Sequence, residues 1–333
     1  MASKPGAPTP MQRLFRLLHP ERKTINYIFL YAIVIGVFSL SIPLGISAVF
    51  NFLTNGAMYS STYLLIAFVL TGVVVAGLLL IGQLSLVEYL EQKIFLRSSL
   101  EFAYRLPRIQ PTEFEGKNPV ELVNRFFDVI VIQKGIIKLL IDLIAASVTI
   151  FSSLVLLSFY HPLFIVLSVV VIALIAIVIA IYYRSGLTAS IQESEHKYET
   201  VAYLENVAAN IDAYRGDKEK MKEIIADTDM ITGKYLSARN SHFRVLKRFF
   251  GASLVLRTLL FGSMLLLGSY FVVERQMTFG QFVAAEVLIV QVGYAIEKLF
   301  TNLNTIFDML TGSVKLGAVT DLALEEDAIP YGY

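Results

Sequence analysis

The sequence predicts an all-α integral membrane protein of six spanning helices, and three observations carry that expectation. Only 17% of its 333 residues are charged and 56% are hydrophobic, whereas soluble domains carry about 25% charged residues. No charged side chain occurs from Thr24 to Val87, and none from Leu143 to Tyr183. A spanning helix needs about 20 mostly apolar residues, so each of these runs holds two.

The first span is expected at about Ile25–Phe50, with Pro43 marking a kink, and the second at about Tyr63–Val87. A short uncharged loop containing Asn51, Thr54, Asn55, Gly56, Ser60 and Ser61 joins them. The third and fourth spans fall at about Ile137–Phe159 and Leu163–Tyr183, joined by Tyr160-His161-Pro162. The fifth and sixth fall at about Ala252–Val273 and Phe282–Leu303, joined by Glu274–Gly280. Gly36, Gly45, Gly72, Gly77 and Gly82 are expected to permit close helix contact.

Two long segments, 88–137 and 184–250, are charged yet keep a helical period, which separates them from disordered loops. Leu106-Pro107 and Gly116-Lys117-Asn118-Pro119 break the first into helix, turn, short helix and helix. Gly216 and Gly233 are the expected interruptions of the second. Before the first span, Leu14, Phe15, Leu17 and Leu18 share one face with Arg13 and Arg16 opposite, which predicts a short helix lying in the membrane interface. Lys and Arg crowd the N-terminus and both long loops, while the three short connections share only Arg275. Positive residues mark the cytoplasmic side, so both termini and both long loops are expected there.

Several classes are excluded or left without support. The chain has no cysteine, which removes thiol catalysis and zinc–thiolate sites. No basic tract suits nucleic acid. Met1–Pro10 lacks the apolar core of a cleavable signal, and the partner expected around the spans is membrane lipid. His19, His161, His196 and His242 read as isolated, without metal-ligand spacing, and no catalytic residue is assigned.

The layout of paired spans, tight outer turns and long helical loops resembles the membrane domain of type I ATP-binding-cassette (ABC) exporters. Arg16-Leu17-Leu18-His19-Pro20 resembles the family's elbow helix. Leu106-Pro107, Phe114-Glu115, Gly116, Leu122-Val123-Asn124-Arg125 and Asp128 resemble its first inner loop. Ala202–Asn206, Asn210-Ile211 and Tyr214 resemble the second, and Met277–Phe282 resembles the segment before the last span. The likeness extends over about residues 11–327.

The resemblance implies three regions: an N-terminal part with the elbow helix (1–23), the six-helix domain (24–313), and a tail or linker (314–333) where an ATPase domain would start. It implies a domain-swapped dimer with a second copy or paralogue, coupled to an ABC ATPase domain or subunit that holds MgATP. The chain itself shows no G-x-x-x-x-G-K-[ST] phosphate loop and no Ser-Gly-Gly signature, so the ATPase is expected from a partner or from a part absent here. Coupling to the ATPase is expected from Asn118, Pro119, Val120, Glu121, Leu122, Asn124 and Arg125, and from Tyr203, Leu204, Glu205, Asn206, Asn210 and Ile211.

Ionisable groups at membrane depth are costly and mark pathways or pairs. Glu286, Gln291, Glu297, Asp142 and Arg257 are therefore the translocation candidates. Glu286 with Gln291 is weighed as the lining of one cavity against packing on a polar neighbour, and Asp142 with Arg257 as an ion pair against both standing in water where the helices extend into the cytoplasm. The plasma membrane is the expected location. Two other readings stay open: a non-transporting scaffold with the same fold, and a membrane-embedded enzyme.

Overall fold

A computed structural model describes residues 8–54, 56, 60–114 and 119–325. Among these, six helical stretches are long and apolar enough to cross a membrane.

The short helix α1 (Pro10–Leu18) opens with a capping box. The Thr9 hydroxyl accepts from the Gln12 amide at 3.2 Å, and the Gln12 side chain accepts from the Thr9 amide at 2.8 Å. Each bond satisfies a donor that a helix start otherwise leaves free. Leu14 and Leu18 are buried against the bundle while Phe15 is exposed, so the expected single apolar face is divided between protein and surroundings. Arg13 does not stand opposite in solvent. It crosses Gly317 and pairs with Asp321 at 2.7 Å.

A turn at His19–Glu21 leads into α2 (Arg22–Ser39), which a break at Leu40 separates from α3 (Ser41–Thr54). The break has a local cause. Pro43 has no amide to donate to Ser39, and its ring crowds that carbonyl four residues back. Asn51 and Thr54, expected in the loop, are still helical, and Gly56 turns the chain with φ +73°. Asn55 lies outside the described residues.

The next four transmembrane stretches show how the long loops are built. Helix α4 (Ser60–Arg105) runs without interruption out of the second span. Two 3-10 turns then lead to α5 (Pro119–Asn124) and α6 (Phe127–Ile137), in the expected order of helix, turn, short helix, helix. A π-helical turn, Lys138–Leu143, joins α6 to α7 (Ile144–Ser158), with the Ile144 amide reaching back five residues to the Leu139 carbonyl. Helix α8 (Pro162–Ala209) and α10 (Lys218–Val273) flank the four-residue α9 (Ile211–Tyr214). At 1.5 Å per residue they are about 72 and 84 Å long, more than twice a bilayer core of about 30 Å.

Gly216 turns the chain as expected, with φ +86°, and Asp217 caps α10 by accepting from the Glu219 and Lys220 amides. Gly233 is not an interruption. It lies within α10, because one glycine costs a helix only about 1 kcal/mol and no proline follows it.

Helix α11 (Phe279–Thr320) is the central post, packed on α1, α3, α6, α7, α8 and α10. Phe164, Phe249, Phe271, Phe300 and Phe307 fill the cluster where α8, α10 and α11 meet. Lipid is as apolar as leucine, so burial alone does not hold helices together within a bilayer; close contact does. Gly36, Gly45, Gly72 and Gly82 meet Val148, Val69, Ser41 and Tyr31 as expected, but Gly77 has no neighbour among the described residues that a side chain would touch.

The start of α11 explains the Met277–Phe282 segment. Thr278 and Gln281 form a second capping box. Gly280 has no side chain because one would strike the Ser47 carbonyl of α3, and its amide donates to Asn51 Oδ1 at 3.2 Å.

Candidate coupling surface and membrane-depth charges

The first long loop is fastened to the second at its far end. Leu122 is buried and anchors α5 in the core, while Val123 beside it is exposed. At the exit of α5 the Arg125 guanidinium lies 3.7 Å from the centroid of the Tyr198 ring on α8 and pairs with Glu121 at 2.9 Å. The Tyr198 hydroxyl donates to Asp128 Oδ2 at 2.5 Å. Both residues are buried, so the bond satisfies a carboxylate that would be costly to bury alone. Two helical turns beyond Tyr198, Glu205 accepts from the Asn124 side chain. Residues seven apart share a helix face, so α8 meets α5 along one side. The Tyr203 hydroxyl donates to Asp227 of α10 at 3.2 Å on another.

Asn118 lies outside the described residues, and Pro119 and Val120 fall in α5. In the second coupling segment Tyr203, Leu204, Glu205 and Asn206 form the last turns of α8, because nothing in the sequence breaks the helix before Asn210. Asn210 ends it, its side chain donating to the Asn206 carbonyl at 2.8 Å, and Ile211 starts the separate α9. Val123, Phe127, Val201, Leu204 and Ile211 leave an exposed apolar set at this end.

The second group of residues lies along α11. Asp142 and Arg257 do not pair. Asp142 sits in the π turn between Lys138 at 2.9 Å and Lys298 at 2.8 Å. Arg257 pairs with Glu297 instead. It reaches that carboxylate by lying across Gly293, where a side chain would block it. The π turn shifts the helical phase next to Asp142, which is how it comes to face α11.

Glu286 and Gln291 do not share a face. Helix α11 is continuous between them, and five residues turn by about 140°. Glu286 is half-buried, with Oε1 lacking a hydrogen-bond partner among the described residues. Gln291 instead begins a strip with Tyr294, Lys298 and Thr301, the last three being exposed positions on a mostly buried helix.

Sequence reasoning missed Lys298, although its place next to Glu297 in an apolar span was the available signal. It also missed the group around Glu193, which accepts from Arg239 at 2.8 Å and meets the buried His242 at 2.7 Å. His242 is therefore not isolated. His161 has a structural role. It caps α8, stacks on Phe271 with centroids 3.8 Å apart, and meets Gln276 at 3.0 Å, tying two short turns together.

Comparison with curated proteins finds no match. A family model described as the ABC transporter transmembrane region matches residues 25–296, which runs from the first turn of α2 into the first half of α11. With six membrane-crossing stretches and both long helical loops inside or bordering that range, the chain belongs to the ABC transporter transmembrane region family.

Proposed function

We propose that this chain is the transmembrane subunit or domain of an ATP-driven exporter, forming the translocation pathway and taking its drive from an ABC ATPase. The observation that carries this reading is the exposed apolar set Val123, Phe127, Val201, Leu204 and Ile211. Apolar side chains exposed on otherwise charged segments fit a protein interface better than solvent. The Lys and Arg distribution supports a cytoplasmic side for both long loops and both termini, where the ATPase works.

Two such chains pair, α8 and α10 of each reaching the ATPase beneath its partner. The chain has no phosphate loop of its own, so MgATP is held by the ATPase and supplies the energy there. This chain's part is mechanical. Asn124–Glu205 and Arg125–Tyr198 make α5 and α8 move together, and rocking of these long helices opens the pathway alternately to each side. Gln291, Tyr294 and Lys298 line that pathway on α11, with Asp142 and the Arg257–Glu297 pair beside them. Glu286 stands on another side of the helix, closer to its start. The location is the plasma membrane.

The test is reconstitution of the chain with its ATPase in vesicles, with and without Leu204→Asp and Val123→Asp. The proposal expects ATP-dependent flux with the native chain. Each variant is expected to lose ATPase binding and flux while keeping its thermal stability. Undiminished ATPase binding by both variants would overturn the assignment of this surface.

A further inference from the structure

The residues between the elbow turn and α4 have no part in the coupling surface or pathway. There, His19, Pro20 and Glu21 face Lys93, Leu96 and Arg97 across an open groove of about 810 Å3. Its two acids are both occupied. Glu21 takes Lys93 at 3.3 Å, and Glu101 takes Arg105 at 3.0 Å. Arg97 is exposed and has no ion pair among the described residues. The groove therefore holds one uncompensated guanidinium, with Lys93 one helical turn away on the same face.

The apolar side of the groove is continuous with the outer face of α4. Leu64, Phe68, Leu78 and Ile81 are exposed along the charge-free span, as expected for a face against acyl chains. That exposed series does not stop at Val87. It continues through Tyr89 to Leu96, which is 60% exposed directly beside Arg97. An aromatic residue followed by cations is the pattern of a membrane–water boundary. An arginine fork also suits a phosphodiester better than a point charge does.

We propose that this groove is a binding site for an anionic phospholipid. An acyl chain lies along the α4 face to Leu96, and the phosphodiester is held by Arg97 with support from Lys93. The occupant is a lipid rather than a soluble phosphate, because the cation stands at the end of an apolar track that a free anion would not use. The site rests on the membrane-spanning fold and not on the proposed ATPase coupling, so either can fail without the other.

The test uses the full chain in nanodiscs of phosphatidylcholine containing phosphatidylglycerol, followed by extraction into detergent and native mass spectrometry. The expected result is retention of phosphatidylglycerol in preference to phosphatidylcholine. Arg97→Ala is expected to weaken retention about tenfold, equivalent to about 1.4 kcal/mol, and Leu96→Ser to weaken it too. Lys247→Ala, which removes an exposed cation on α10, is expected to leave it unchanged. Thermal unfolding of the variants is expected to match the native chain, since both altered side chains are exposed. Native retention by both Arg97→Ala and Leu96→Ser would overturn the site. So would equal retention of the two lipids, or displacement of phosphatidylglycerol by inorganic phosphate.

Discussion

Arg125 lies over the ring of Tyr198, its guanidinium carbon 3.7 Å from the centroid, while the hydroxyl of the same tyrosine donates to Asp128. One side chain of α8 thus engages the residue just after α5 and a residue in the first turn of α6. The two long loops are joined by this contact and by Asn124–Glu205.

Tyr198→Phe separates these roles. It keeps the ring beneath Arg125 but removes the donor to a buried carboxylate, a loss of about 1–3 kcal/mol. Arg125→Lys keeps the charge but loses the planar stack, at about 0.5–2 kcal/mol. Thermal unfolding in detergent is expected to show a lower Tm for both. An unchanged Tm in Tyr198→Phe would mean that the hydroxyl bond contributes nothing.

The choice of partner among the membrane-depth charges is open to direct measurement. Double-mutant cycles on unfolding are expected to give Asp142 and Lys298 a coupling of about 0.5–1 kcal/mol, in the range of partly exposed pairs. Arg257 and Glu297 are expected to couple similarly. Asp142 and Arg257 are expected to show none, and a sizeable coupling between them would contradict the observed pairing.

Those pairs also mark the limit of what the sequence reveals. The spans were legible because charge-free runs are long, and the first long loop because Pro107 and Pro119 break it. The partner of Asp142 was not legible, since the π turn at Lys138–Leu143 changes the face it presents and nothing in the apolar period announces that turn. Gly233 misled because an isolated glycine looks the same in a turn as in a helix. The pairing of Ile109 with Leu324 was hidden by the length of chain between them.

Two glycines are expected to respond in opposite directions to alanine. Gly233→Ala fills open space within α10 and is expected to raise stability by about 0.5–1 kcal/mol. Gly280→Ala places a carbon against the Ser47 carbonyl, and the start of α11 has to move off α3. A lower Tm for Gly280→Ala and a higher one for Gly233→Ala is the expected pair of results. The same sign for both would contradict the packing at Gly280.

The segment after α11 is held by two neighbours. Arg13 pairs with Asp321, and the Gln110 and Glu325 amides donate to the Ala323 and Arg108 carbonyls at 3.1 and 3.0 Å. Arg13→Ala is expected to speed hydrogen exchange at the Gln110 and Glu325 amides, with little change in the middle of α11. Unchanged exchange at both would show that the backbone pairing holds without the ion pair.

The most direct test of the central claim uses the absence of cysteine. A single Leu204→Cys, treated with a short thiol-to-amine cross-linker in native membranes and mapped by mass spectrometry, reports what touches the end of α8. The account predicts a link to a polypeptide segment belonging to an ABC ATPase, recognised by its Gly-Lys-Ser/Thr phosphate loop, and no such link from Leu266→Cys within the fifth span. Capture of no ATPase at Leu204, or equal capture from both positions, would contradict it.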